Sequence, residues 1–186
     1  MISGARRHDR PFALDEAITI LARTPGIVDT LLRGLPPAWV RADEGDETWS
    51  PLDVVGHLTH ADRTNWLPRL RTILESGETV PFSAFDRFAS IEESGRRSLA
   101  DLLDEFARVR VKSVDALTRL RLSTADLDRR GQHPAFGVVT LRQLIATWVT
   151  HDFDHLMQIT RVLGRQYSAE VGPWRAYLRV VKDPRG

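Results

Sequence analysis

Three histidines carry the chemistry open to this sequence. His151 and His155 stand four residues apart in the segment Thr140-Leu-Arg-Gln-Leu-Ile-Ala-Thr-Trp-Val-Thr-His-Asp-Phe-Asp-His-Leu-Met-Gln-Ile, whose apolar spacing is helical. Residues at that spacing lie one above the other on a single helix face. The face also carries Leu144, Thr147, Trp148, Gln158, Ile159 and Val162, so it points mostly inward. Two imidazoles one turn apart can clamp a divalent ion at about 2.0–2.1 Å from each nitrogen. The pair alone fits a second reading equally well, as two buried, hydrogen-bonded structural histidines. His57 tips the balance toward a metal, because it follows Val54 and precedes Leu58 and Ala61 on another inward-facing helix. Three imidazoles leave at least one coordination position open, the pattern of catalytic rather than structural sites. Zinc, nickel, copper and iron all suit such a donor set.

The rest of the composition narrows the chemistry. The chain has 186 residues and no cysteine, so disulfides, zinc–thiolate sites and cysteine nucleophiles are excluded. The lack of disulfides is compatible with a cytoplasmic location. Lys plus Arg (26) nearly balances Asp plus Glu (25), and basic and aromatic residues are not interleaved on one face, so nucleic acid is not an expected partner. No stretch approaches the roughly 20 apolar residues of a membrane span. Residues 1–186 are expected to form a single domain, with residues 1–11, which include His8, flexible.

The elements that must position the histidines read as helices throughout, and no convincing strand is visible. A first helical region covers Phe12 to Arg33, with a break expected at Thr24-Pro25. A second starts with Ser50 as N-cap, Pro51 at the first helical position and Asp53 in the place of a capping-box acid. It runs to about Ser76-Gly77, and Pro68 predicts a kink. Residues 77 to 97 read as a long irregular connection, with a short turn around Phe85 to Ile91. The third helix begins near Ser98 with the stripe Leu99, Leu102, Leu103, Phe106, Val109, Val114, Leu117 and Leu120. The fourth is capped by Thr140 and Gln143 and closes at Gly164. A short C-terminal helix is expected from Pro173 to before Pro184.

Four amphipathic helices without strands imply an all-α four-helix bundle. The long connection between helices two and three can cross the bundle, giving an up-down-down-up order. His57 then lies about 10 Å from the start of helix two and His155 about 13 Å from the end of helix four, at similar depth. A simple up-down-up-down order separates them by about 12 Å.

Trp49-Ser-Pro-Leu-Asp-Val-Val-Gly-His57-Leu58, followed by His151-x-x-x-His155-Leu156-x-Gln158-Ile159, resembles the DinB-like superfamily in helix order over nearly the whole chain. The resemblance implies a crossed four-helix bundle in which His57, His151 and His155 bind zinc, nickel or a similar ion such as iron, often in a homodimer. It also implies small-molecule chemistry, since characterised relatives include transferases and isomerases that use low-molecular-weight thiols. A chain without cysteine would have to borrow such a thiol.

Several neighbours of the histidines are candidates for supporting roles. Asp53, one turn before His57, either orients that ring or only caps its helix, and capping is the expected role. His60 either lines the pocket or lies on the surface. Trp49 and Trp148 wall the site or belong to the core. Gln158 shares the inward face, and His133 in a loop is placed to reach the mouth. Asp152 and Asp154 flank the ligand pair but project away from it, so solvent or a neighbouring helix is expected for both. The string His151-Asp152-Phe153-Asp154-His155 is one methylene short of the His-Glu-x-x-His pattern of zinc proteases, but Asp152 is too short to serve as well as Glu. Metal-dependent hydrolysis of small amides or esters is therefore the alternative to thiol transfer. A non-catalytic, stress-related metal-binding protein is the third reading.

Overall fold

The computed structural model describes residues 10–182, so His8 and the other residues 1–9 lie outside it. In chain order the helices are α1 (Leu14–Leu32), α2 (Pro37–Val40), α3 (Pro51–Ala61), α4 (Leu67–Ser76), α5 (Ile91–Gly95), α6 (Leu99–Arg119), α7 (Thr124–Leu127) and α8 (Leu141–Arg165). A π-helical segment, Asp62–Trp66, joins α3 to α4 into one rod. Side chains start three of the four long elements, α1 being the exception: Ser50, Ser98 and Thr140 each accept the backbone N–H three residues on. Asp53 and Gln143 complete two of these as reciprocal capping boxes.

Residue pairings give the directions. Between α1 and α8, the Phe12 ring lies beneath Arg142 and Thr24 bonds to Asp152, so the two run parallel. The α3–α4 rod and α6 are also parallel, Gly56 sharing a small cavity with Leu102 while Asp62 meets Arg110. Helix α6 is antiparallel to α1, with Arg33 on Asp104 at one end and Leu21 on Arg110 further along. The rod is antiparallel to α8, His57 facing His155 while Asp62 faces Trp148. The parallel pair requires residues 77–98 to cross the bundle. Their path is tight at Gly56, where an added Cβ would lie 1.7 Å from Ser94 Oγ, so glycine is what lets α5 settle on α3.

The core divides into two apolar clusters along the helix axes. One gathers Leu21, Ala61, Trp66, Leu117, Ile145 and Trp148. The other gathers Val28, Val54, Leu58, Phe106 and Ile159. Between them, on every long helix, comes a buried polar residue: Thr24, His57 and Asp62, Arg110, and Asp152 with His155. The bundle is thus two apolar blocks separated by a polar layer, and the histidines sit in that layer.

Five expectations need correction. The chain does contain strands, a hairpin of β1 (Arg130–His133) and β2 (Gly137–Thr140). Four residues each is too short for alternation to show in sequence. Pro25 does not break α1, which runs through it. The Leu21 carbonyl that proline strips of its helical partner instead accepts Arg110 Nη1 at 3.0 Å. Ahead of Pro68 the rod widens into the π-segment rather than simply kinking; π-bulges recur at functional sites. The stripe of α6 differs too, since Arg110 and Ser113 are buried while Leu120 is exposed. Finally, the C-terminal helix is replaced by two 3-10 turns, Gly172–Ala176 and Arg179–Val181. Gly164 admits the second of these, because a Cβ there would meet Val180 at 2.6 Å.

Candidate metal centre

The crossed packing brings His57 from α3 against His151 and His155 from α8, with one nitrogen of each ring within 4.8 Å of the others. His151 Nε2 lies 3.1 Å from His57 Nε2 and 3.2 Å from His155 Nε2. Two nitrogens bound tetrahedrally to one ion are about 3.4 Å apart, given metal–nitrogen bonds of about 2.0–2.1 Å. The observed spacing is therefore close to what a shared ion requires.

Hydrogen bonds on the far side of the rings fix their tautomers. The Arg87 carbonyl can only accept, so His57 Nδ1 donates to it at 3.3 Å and Nε2 keeps its lone pair. His155 Nδ1 donates to Gln158 Oε1 at 2.9 Å with the same result. His151 Nδ1 is buried without a partner among the described residues. Two lone pairs thus point at the third imidazole nitrogen, and His151 has at most one proton there to give. A cation at the point of convergence satisfies all three, and the backbone and amide partners are of the kind that orient metal-bound histidines.

Burial is the main force on their titration. It pushes His57 down to about 4, with the nearby His155 adding to the effect and the Arg87 carbonyl opposing it. It pushes His151 down to about 2, with both neighbouring histidines adding. His155 is lowered too, by burial first, against a raising contribution from Gln158. Near neutral pH all three are uncharged, the state in which imidazole binds metal.

Aromatic rings enclose the triad. Trp49 stacks on His155 with centroids 5.8 Å apart and lies 4.6 Å from the His57 ring. Phe85 from the crossover meets His57 edge-on at 5.7 Å, and Trp66 meets His151 edge-on at 5.1 Å. A cleft of about 690 Å³ adjoins this wall and shares Trp49, Arg87 and Gln158 with it.

The other candidates fall into different places. Asp53 caps α3 through the Ser50 N–H and hydroxyl and does not touch His57. His60 pairs with Thr64 and stacks on Phe85, one ring removed from the centre. Trp148 is core: it stacks on Trp66 and donates Nε1 to Asp62 at 3.2 Å. His133 is held in the hairpin turn, accepting the N–H groups of Ala135 and Phe136, and does not reach the centre. Asp154 is exposed as expected.

Of the two alternatives for Asp152, solvent or a neighbouring helix, the structure shows the second: it is 1% exposed and bound to Arg110 of α6. Arg110, itself 1% exposed, forks between two carboxylates. It reaches Asp62 through Nε at 2.6 Å and Nη2 at 3.0 Å, and Asp152 through Nη1 and through Nη2 at 3.1 Å. Thr24 adds a bond to Asp152 at 2.7 Å. Burial raises Asp62 to about 6 even though Arg110 pulls it down; burial also works to lower Arg110, but its two carboxylate partners together outweigh that and raise it. This clamp ties together the two ligand-bearing elements, and sequence reading missed it. Its signal was the charged member of the series Phe106, Arg110, Ser113, Leu117, spaced three and four apart on the buried face of α6.

A crossed four-helix bundle with three converging imidazoles in a polar layer defines a helical class of protein whose site could hold a metal ion. The sequence matches the DinB superfamily over residues 20–159, and the chain belongs to that family. Among solved structures it is similar to YfiT from Bacillus subtilis, described as a probable metal-dependent hydrolase with an unusual four-helix bundle topology. That likeness has a TM-score of 0.72 at 19% identity, covering 89% of this chain and 95% of that one. No curated protein matches the sequence. No helix among the described residues is long and apolar enough to cross a membrane.

Proposed function

We propose that this protein is a metal-dependent enzyme that joins a low-molecular-weight thiol to a small electrophile, with His57, His151 and His155 holding one divalent ion, zinc or nickel before iron. A divalent ion in such a site lowers the pKa of a bound thiol or water and polarises an electrophile. The observation that carries the reading is the all-imidazole donor set. Among the described residues no carboxylate joins the triad. Of the acids nearest in sequence, Asp53 is bonded to Ser50, Asp152 is bonded to Arg110, and Asp154 is exposed. Hydrolysis of an amide or ester wants a general base beside the water, whereas a thiol asks for little beyond a lowered pKa. The residues here orient the imidazoles through Arg87 and Gln158, exclude water with Trp49 and Phe85, and offer a cleft for the organic ligand. A cytoplasmic setting, where small thiols stay reduced, suits a cysteine-free chain.

Hydrolysis remains the second reading, favoured by the likeness to YfiT. A homodimer would draw on the aromatic C-terminal surface, where Trp174 and Tyr177 are 70% and 86% exposed. The test begins with untagged protein, measuring bound metals by mass spectrometry in the parent, His57→Ala and His151→Ala. Near-stoichiometric metal in the parent, lost in both variants, is expected. A parent that carries none, and retains none after reconstitution with zinc or nickel, refutes the metal site. Turnover of electrophiles only when thiol is added supports transfer; turnover of esters or amides without thiol supports hydrolysis. Bound metal with neither activity leaves a non-catalytic metal-binding protein.

A further inference from the structure

The cleft beside the triad has a charge pattern of its own. Its volume of about 690 Å³ suits a small molecule. Trp49, Phe88 and Ile91 give it an apolar wall, and Phe88 is 54% exposed there. Two arginines also line it, and they are not equivalent. Arg161 is spent, since its Nε reaches the two carboxylate oxygens of Glu44 at 2.8 and 2.7 Å. Arg87 makes no ion pair among the described residues, and its guanidinium lies 4.8 Å from the centre of the Phe88 ring. That contact holds a planar, uncompensated fork over the apolar wall, the arrangement that binds carboxylate or phosphate in bidentate fashion.

Glu47 decides between those two anions. It lines the same cleft and makes no ion pair among the described residues. Its backbone is held at φ 62, a left-handed conformation that costs a non-glycine residue free energy. Arg87 is a single positive fork: a singly charged, two-oxygen carboxylate matches it in charge and shape, whereas a doubly charged phosphate leaves surplus negative charge facing Glu47. Arg87 also joins the cleft to the chemistry, because its own backbone carbonyl fixes the His57 ring.

We propose that Arg87 is the anion anchor of this cleft, and that the ligand brought to the metal carries a carboxylate at one end and an apolar stem along Trp49 and Phe88. The assignment rests on the metal-centre reading above. Any Arg87 variant keeps the backbone carbonyl, so metal content is expected to stay at the parent level.

The experiment loads the parent, Arg87→Gln and Arg87→Lys with cobalt(II) and titrates each with 3-mercaptopropionate and with 2-mercaptoethanol, following the thiolate-to-cobalt charge-transfer band. The parent is expected to prefer the carboxylate thiol by roughly 10- to 100-fold, the range for a charge-assisted hydrogen bond. Arg87→Gln should abolish the preference with 2-mercaptoethanol unaffected, and Arg87→Lys should keep part of it. Equal binding of the two thiols by the parent overturns the anchor while leaving the thiol reading intact. If cobalt binds but neither thiol produces the band, the thiol reading fails and the anchor is tested with propionate by calorimetry. Binding to the parent but not to Arg87→Gln then supports the anchor, and no binding to the parent overturns it. Inorganic phosphate competing better than propionate overturns the choice of carboxylate.

Discussion

Replacing Arg110 with methionine is the sharpest test of the polar layer. The substitution keeps most of the aliphatic stem that lies against Phe106 and Trp148 but removes the fork. Asp62 and Asp152, 2% and 1% exposed, are left facing each other without a cation. The Leu21 carbonyl, already without a helical partner because of Pro25, loses its donor as well. Breaking a buried pair by removing one partner costs about 3–5 kcal/mol, and an unsatisfied buried carbonyl about 1–3 more. Against a total stability of about 5–15 kcal/mol this is large. The melting temperature should fall by roughly 8–30 °C, taking about 2–4 °C per kcal/mol for a chain of this size. The loss should also depend on pH. Burial already raises Asp62 above its ordinary value, and Arg110 is the main influence lowering it. Without Arg110 the folded-state pKa climbs further, so the variant recovers stability as pH falls toward the unfolded carboxylate value and loses it as pH rises. Urea titrations at pH 4.5 and 7.5, with a chelator present, should show the smaller deficit at the lower pH. Adding Asp62→Asn and Asp152→Asn to Arg110→Met should restore part of the loss at pH 7.5. A deficit below about 1 kcal/mol that does not change with pH would refute the clamp, since a buried arginine bridging two carboxylates cannot be removed so cheaply.

The remaining predictions concern the triad and the crossover above it. Gln158→Leu removes the acceptor that orients His155 and should weaken zinc binding about 10- to 100-fold in a chelator competition, with the melting temperature of the metal-free protein little changed. Gln158→Glu, which keeps an acceptor, should restore it; equal affinity in all three proteins would count against the orienting bond. Because His57 and His151 titrate far below the ordinary histidine range, metal retention on dialysis should stay flat from pH 8 to about 5 and fall below that. In the metal-free protein the same depressed values add stability that is full above the unfolded histidine pKa and drains away as pH falls toward about 4. Loss of metal already complete near pH 6.5 would contradict the first statement, and urea titrations of the metal-free protein that show no loss of stability from pH 7.5 to 4.5 would contradict the second. Gly56→Ala drives a methyl group into Ser94, 1.7 Å from its hydroxyl oxygen, and should cost about 1–3 kcal/mol of stability by urea denaturation. It should also loosen metal binding by shifting the crossover that carries Phe85 and Arg87, and Ser94→Gly in the same chain should recover both.

What was legible in the sequence was local. The spacing of His151 and His155, the box of Thr140 with Gln143 and the cap of Ser50 with Asp53 depend on residues a turn apart, and helix geometry alone relates them. Asp53 acts as a cap and nothing more because Ser50 is within its reach and His57 is not. What could not be read depends on partners far away in the chain. A helical wheel shows that Asp152 leaves the histidine face, but it cannot show that Arg110, 42 residues earlier, waits there. Pro25 was misread for the same reason, since the donor that rescues the Leu21 carbonyl lies 89 residues away. Trp66 and Phe85 were missed as walls of the centre because one sits in a π-turn and the other in a loop, where no simple periodicity says which way a ring points.

The distance along the chain between the ligands has a consequence for how the protein comes into being. His57 and His151 are 94 residues apart, and α8 is made after α1, the rod and α6. For those 94 residues a growing chain would hold His57 alone of the three, and the full set of imidazoles would converge on an ion only once α8 has docked against the rod. On the reading proposed above, three-point capture of a metal would act as a proofreading event, open only to chains that have completed the crossing. Once made, the bond closes a loop spanning half the protein. An ion present at about a thousand times its dissociation constant adds about 4 kcal/mol against reopening. Metal supply would then set how long a finished molecule lasts, as well as whether it works.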